Sequence, residues 1–325
     1  MTLVSLIMPV WQPRRDWLHE AVASALDEHA CDIELIVVDD GNERPVSDLL
    51  ADFDDPRLRL LRLDHCGPYA TRNAALAVAR GDYVRFVDAD DIAEPGSTGR
   101  LLALTLQAGG ETLAYGLTMM CDDQMRPTYL VSETAEGDVS EICVLGGFDV
   151  YVVAILYPIA VLKRAGPWPE TGFRVSGDWD YVLRILEQAP VRRLDEVVAH
   201  YRRHSTSVTK SAGVADGVRA GLLVLEGYFS RHPDRRGSSL ERRAYTNLHL
   251  MRARSYRGVG DLGGVCQQLL LAARRSPWAV ISEISMSANR RLRRFASKAA
   301  RRLSIQVIVG RIAPIMTMIW WVRGH

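Results

Sequence analysis

Short apolar runs alternate with helix-period segments along residues 1–210. Leu3–Val10 (LVSLIMPV) is almost wholly apolar, the pattern of a strand buried on both faces of a parallel sheet, with Pro9 opening the loop that follows. Trp17, Leu18, Ala21, Val22 and Ala25 recur at helical spacing, and IELIVV (33–38) predicts a second buried strand. A helix over 46–53 and an alternating strand over 58–63 come next. Ala74, Ala75, Leu76, Val78 and Ala79 then predict a small-residue helix stopped by Gly81, before a strand over 83–87. Strands separated by helices in this way predict an α/β fold, a doubly wound, mostly parallel sheet flanked by helices.

The pattern continues with a helix over 101–106, a strand over 112–119, an Asp122-Asp123 turn and an irregular stretch to about Gly147. An apolar segment over 150–159, a short helix over 161–166 and a helix opened by Asp178 complete the first part. Beyond about Lys210 only helical periodicity remains, in 217–229, 240–256 and 264–273. These changes divide the chain into a catalytic domain (1–210), a helical extension (211–285) and a C-terminal tail (286–325).

Acids gather where two strands stop. One strand delivers Asp39-Asp40-Gly41 and another delivers Asp88, Asp90 and Asp91. In open α/β sheets ligands sit beyond the carboxyl ends of strands, so the second cluster is placed to hold a hard cation bridging to a phosphate-bearing substrate. No GxGxxG follows the first strand and no GxxxxGK[ST] occurs, which disfavours a NAD-type dinucleotide fold and a P-loop.

Composition narrows the choice further. A net charge of +1 speaks against a nucleic-acid binder working by bulk charge. Five scattered cysteines, Cys31, Cys66, Cys121, Cys143 and Cys266, lack zinc-site spacing and suit a reducing compartment. With no evident secretory signal at the N-terminus, a cytoplasmic location is expected. The tail differs: Ile284 to His325 holds nine Lys/Arg and no Asp or Glu.

SLIMPVWQ (5–12), Ser24, VVDDG (37–41), TRNAAL (71–76), GDYVRFVDADD (81–91), GDWDYVLRI (177–185) and YRRHSTS (201–207) occur in an order and spacing that resemble the family 2 glycosyltransferases. These are inverting nucleotide-sugar enzymes of the GT-A fold, and the resemblance covers about residues 1–210. It implies Asp90 as a ligand of Mn²⁺ or Mg²⁺, Asp88 at the ribose or metal, and His204 as a further metal ligand. It also implies Pro9, Trp11, Asp40, Arg72, Asp88 and Arg203, or its neighbour Arg202, on the nucleotide-sugar. Asp40 would accept a hydrogen bond from the imide N–H of uracil or thymine, a physical route to a UDP- or dTDP-sugar. Gln12 stands for the family's usual Asn and Asn42 for its usual Ser. A bland alternative exists for each group: Asx turns at Asp39 and Asp40, a solvated helix arginine at Arg72, and a capped turn at the acid triplet.

Asp178 matches the family's catalytic base, with Gly177 where relatives carry an acid; Asp180 is the rival, and an N-cap is the structural alternative for Asp178. Trp168 and Trp179 are either acceptor-side aromatics or core. The resemblance further implies a glycan or lipid-linked acceptor and a role in envelope polysaccharide assembly. In the tail, Leu292, Phe295, Ala296, Ala299 and Leu303 share a helical face among arginines, as in a helix lying on an anionic membrane surface. A span over 303–322 would put Arg311 near its centre at a cost of roughly 2.5–3.5 kcal/mol and be kinked by Pro314, so an interfacial helix is expected ahead of docking to protein or a partner and of a true span, with peripheral attachment on the inner face of the cytoplasmic membrane. The competing classes are a nucleotidyltransferase and a noncatalytic scaffold that binds a membrane or partner through residues 211–325.

Overall fold

β1 (Leu3–Val10) is the centre of the parallel half of the sheet, and its side chains serve two cores. Val4, Leu6, Met8 and Val10 enter one buried cluster, with Leu18, Ala21 and Val22 of α1 (Arg15–Leu26), while Ile7 enters the other. The same alternation runs along β2 (Asp32–Asp40), where Leu35 and Val37 face the first cluster and Ile36 and Val38 the second. Such strands read as unbroken apolar runs because both faces are covered. The computed structural model describes residues 2–205 and 213–281. The tail helix expected within 286–325 and the last two residues of YRRHSTS lie outside the described residues.

Among the described residues a nine-stranded sheet has the order β3-β2-β1-β4-β8-β6-β9-β5, with β7 paired to β6. β3 (Leu58–Leu63), β2, β1 and β4 (Tyr83–Phe86) are mutually parallel, as their βαβ pattern implied. The other half is mixed. β8 (Ile155–Pro158) runs antiparallel to both β4 and β6 (Leu113–Cys121), and β9 (Val191–Arg202) is parallel to β6. β5 (Ile92–Ala93) pairs antiparallel with β9 through Ile92 and His200. The chain leaving β4 therefore crosses to β9 within residues 88–91, and this crossing sets the acid triplet against the residues that end β9.

Three local expectations differ. The helix expected over 46–53 is a single turn, α2 (Val46–Leu49). The small-residue helix, α3 (Pro68–Val78), ends before Gly81, whose role is close packing: a Cβ there would lie 2.6 Å from the Ser5 backbone nitrogen. The stretch between Asp122 and Gly147 contains β7 (Pro127–Val131) and α5 (Ser140–Val144). α4 (Ser97–Gln107), α6 (Ile159–Ala165) and α7 (Gly177–Leu186) fall where periodicity put them.

The extension folds as helices Val214–Arg231, Ser239–Gly258 and Leu262–Arg275. Val224, Leu225, Tyr228 and Phe229 of the first, with Leu240, Ala244 and Leu248 of the second, join the buried cluster that holds Tyr181, Leu183 and Ile185 of α7. The helix carrying Asp178 is thus backed by the extension. No helix among the described residues is long and apolar enough to cross a membrane.

Arg85 interrupts the otherwise apolar β4 and is fully buried. Its guanidinium donates to Val153 O (3.1 Å), Ser97 Oγ (2.8 Å), Thr98 Oγ1 (2.9 Å) and Val198 O (2.6 Å), joining β4, α4 and β9. Burial pushes its pKa down to about 10, leaving it charged near neutrality. We expect Arg85→Met to cost about 3 kcal/mol or more, because four acceptors lose their donor inside the core. Urea unfolding measures this, and a loss below about 0.5 kcal/mol would show that the network is not structural.

Candidate active site

The crossing from β4 to β5 puts Asp88, Asp90 and Asp91 beside Arg202 and His204. His204 Nε2 lies 2.8 Å from Asp90 Oδ2, and its ring meets Trp17 edge-on at 4.9 Å. Arg72, on α3, donates to Asp88 Oδ1 at 2.7 Å and sits over the Trp168 ring at 5.0 Å. Asp91 Oδ1 accepts the Arg202 backbone N–H at 2.8 Å, while its buried Oδ2 has no hydrogen-bond partner among the described residues. Arg202 itself is buried and donates to Asp90 O (2.8 Å), Asp123 O (3.0 Å) and Glu20 Oε2. Arg203 instead leans outward, 5.9 Å over the Tyr129 ring. Of the two adjacent arginines, Arg202 fixes the acid loop and Arg203 faces outward.

The triplet is electrostatically crowded. Burial and the Asp88 charge raise the Asp90 carboxyl despite its contact with His204. Burial, then Asp90 and Asp88, push Asp91 well above the usual carboxylate range. Among the described residues no three His, Cys, Asp or Glu side chains already stand as a metal-ligand set. The donor chemistry nevertheless fits a hard divalent cation, since Asp88 and Asp90 offer oxygens, His204 offers a ring nitrogen, and a buried Asp91 oxygen leaves an acceptor unmet.

The second acid pair ends β2. Asp39 accepts from Asn42 N (2.9 Å), Asn42 Nδ2 (2.7 Å), Val46 N (3.1 Å) and Arg62 (3.0 Å). Burial opposes its ionisation, but these donors outweigh it and hold the carboxyl below its ordinary value. Asn42 also donates to Val10 O and accepts from Gln12 N at 2.6 Å, so the two departures from the family pattern are partners in one turn. Gln12 adopts φ 45° there, close to Pro9 on β1 and to Trp11, which is 44% exposed. Asp40 is only 2% exposed, and its carboxylate faces the 65–67 loop. Oδ1 accepts from Cys66 N (2.7 Å) and Cys66 Sγ (3.4 Å) and Oδ2 from Gly67 N (3.1 Å), while His65 Nδ1 meets the Asp40 backbone carbonyl at 3.2 Å and stands 2.9 Å from Oδ2.

Asp178 lies in the first turn of α7, whose N-cap is Ser176, and among the described residues its Oδ1 accepts the adjacent Trp179 N–H alone (2.9 Å), so it does not cap the helix. Its surroundings raise the carboxyl, chiefly by desolvation, with Asp88 adding and Arg72 opposing, although the residue keeps solvent access. Asp180, the rival, is buried and paired with Arg184 at 2.9 Å. Tyr69, which sequence reasoning missed, accepts the Gly177 N–H at 3.0 Å, and a Cβ on Gly177 would lie 2.5 Å from its ring. Trp168 is core, stacked on Tyr181 at 4.0 Å, and Trp179 donates to Cys143 O.

Comparison with known proteins finds relatives for this arrangement. The model of glycosyl transferase family 2 matches residues 5–146. An uncharacterized glycosyltransferase EpsJ of Bacillus subtilis is 26% identical over 218 residues, covering 64% of this chain and 63% of that protein. The Escherichia coli UDP-Glc:alpha-D-GlcNAc-diphosphoundecaprenol beta-1,3-glucosyltransferase WfaP is 34% identical over 92 residues, covering 28% of this chain and 36% of that one. The chain thus spans less than two thirds of the length of these curated relatives. The crystal structure of S. aureus TarS 1-349 in complex with UDP-GlcNAc superposes with a TM-score of 0.54 at 15% identity, covering 84% of this chain and 92% of that one, a likeness of fold. With the family model matched across β1, the acid loop and α4, residues 5–146 are similar to glycosyl transferase family 2.

Proposed function

We propose that the chain is an inverting, metal-dependent glycosyltransferase that moves a sugar from a UDP- or dTDP-sugar to a hydroxyl of a glycan or lipid-linked acceptor. The observation that carries this reading is the pairing of Asp88 with Arg72 at 2.7 Å beside the Asp90–His204 contact at 2.8 Å, which gathers acids, an imidazole and a guanidinium beyond β4. Asp88 and Asp90, with His204, would hold Mn²⁺ or Mg²⁺. When bound, such an ion stabilises negative charge on a departing diphosphate.

The protein's own groups do the rest. Arg72 and Arg203 offer guanidinium donors to phosphate oxygens. Asp178 accepts the proton of the acceptor hydroxyl as that oxygen attacks the anomeric carbon. The bond from that carbon to the diphosphate oxygen breaks, and its electron pair leaves with the diphosphate. A one-step displacement with the base opposite the leaving group inverts the anomeric centre. The names of WfaP and of the TarS complex both include a UDP-sugar, which supports the donor class, and the diphosphoundecaprenol in WfaP's name supports a lipid-linked acceptor. The same reading assigns the chain to envelope polysaccharide synthesis and, through the basic tail, to the anionic inner face of the cytoplasmic membrane.

Three outcomes test the reading. Asp90→Ala should lower Mn²⁺-dependent release of nucleoside diphosphate by about a hundredfold or more, measured by coupled assay; wild-type rates in the variant would remove Asp90 from the donor site. Asp178→Asn should lower sugar transfer by about 10²–10⁴-fold while UDP still binds, and equal transfer would remove Asp178 as the base. Because the Asp178 carboxyl is raised and must be ionised to act, kcat/KM should fall on acidification through a value above the ordinary aspartate pKa of about 3.9. An acid limb at or below that value would contradict the assignment.

A further inference from the structure

The large apolar side chains that stand furthest into solvent are concentrated in one part of the extension. Val259, Leu262, Leu270, Trp278 and Ile281 are each between 52% and 79% exposed, while no other large apolar side chain among the described residues exceeds 48%. Leu262, Cys266 and Leu270 are spaced four apart on the helix Leu262–Arg275 and form one outward stripe, which Arg274 continues. The inward stripe of the same helix is Gly264, Gln268 and Ala272. A helix that faces water carries its large apolar groups inward and its polar groups outward. Here that order is reversed.

Charge identifies what the stripe meets. From Arg242 to Ile281 there are seven arginines and a single acid, Asp261, whose Oδ1 accepts the Gly264 N–H at 2.9 Å as the cap of this helix. Arg254 and Arg257 are exposed just before Val259 and Leu262, and Arg274 is exposed between Leu270 and Trp278. The sequence from Ile284 onward adds nine Lys/Arg and no acid. An apolar stripe flanked by cations and followed by an exposed tryptophan suits the headgroup boundary of an anionic bilayer. Leucines enter the acyl edge, arginine stems reach back to phosphate, and an indole favours the interface.

We propose that the outward face of the helix Leu262–Arg275, continued by Trp278 and Ile281, is a lipid-binding surface that lies in the headgroup region of an anionic membrane. The inference shares its partner with the assignment of the basic tail and adds a face of the folded extension, which binds lipid whether or not the cleft transfers a sugar. Because the extension packs on α7, attachment through this face sets the position of the Asp178 helix relative to the bilayer.

Cys266, exposed in the middle of the stripe, reports on this face alone. The full chain is mixed with vesicles of phosphatidylcholine, or of equal parts phosphatidylcholine and phosphatidylglycerol. Cosedimentation measures partition, and mass spectrometry follows modification of Cys266 by a membrane-impermeant maleimide. The mixed vesicles should bind the chain and slow Cys266 modification by about tenfold or more, and phosphatidylcholine alone should do neither. The double variant Leu262→Asp, Leu270→Asp should lose about tenfold or more in partition and return Cys266 to its lipid-free rate. Both positions are exposed, so its melting temperature should match the wild type; should it melt early, protection of Cys266 in the wild type decides alone. Partition of the wild type with Cys266 modified at its lipid-free rate overturns the face and leaves binding to the tail. No partition at all overturns this surface and the membrane assignment of the tail together, while the glycosyltransferase reading is decided separately by donor release. A lipid-free dimer in sedimentation equilibrium that the double variant dissolves, with no protection by vesicles, gives the face to a second copy and overturns the lipid assignment.

Discussion

Arg202 is the cation on which the geometry of the acid loop depends. Its backbone N–H holds Asp91, its guanidinium reaches the Asp90 carbonyl, the Asp123 carbonyl and Glu20, and it lies over the Trp17 ring at 4.8 Å. One buried side chain thereby ties β9 to α1, to the turn after β6 and to the triplet that follows β4. Carboxylates brought this close repel, and burial adds to the cost of their charge. Arg202 meets part of that demand from behind, Arg72 and His204 meet part of it from the cleft side, and one Asp91 oxygen has no partner among the described residues.

How far the sequence disclosed this arrangement depends on how each element is buried. β1, β2 and β4 were legible because strands covered on both faces are apolar throughout, and Asp88 and Asp90 were legible because they follow such a strand directly. β9 was not, since VRRLDEVVAHYR mixes buried and exposed positions without clean alternation, and its pairing with β6 and β5 is decided by distant partners. The same blindness left Arg202 and Arg203 interchangeable, although one is a clamp and the other faces outward. His65 carried no pattern at all. Its place beside Asp40 follows from the positive φ at Gly41 and the close approach of two loops, features that no local periodicity records.

Departures from the family pattern prove to be internally matched. Gln12 and Asn42 share a hydrogen bond, so the two substitutions form one altered turn. Gly177, standing where relatives carry an acid, leaves room for the Tyr69 ring, whose hydroxyl accepts the Gly177 N–H and whose face stacks near Trp168 at 5.8 Å. Burial and the neighbouring Asp178 charge raise the Tyr69 phenol, which keeps it a neutral hydroxyl beside the candidate base. An aromatic ring therefore stands beside Asp178, and it packs against the buried cluster that α7 shares with the extension helices.

The most direct measurement is the release of nucleoside diphosphate by the wild-type chain from a panel of UDP-, dTDP- and GDP-sugars, with Mn²⁺, with Mg²⁺ and with chelator, in the presence of a membrane extract as acceptor source. The account predicts release from a UDP- or dTDP-sugar that requires the metal and stops with chelator. No release from any donor under any of these conditions, or release confined to GDP-sugars, would contradict it.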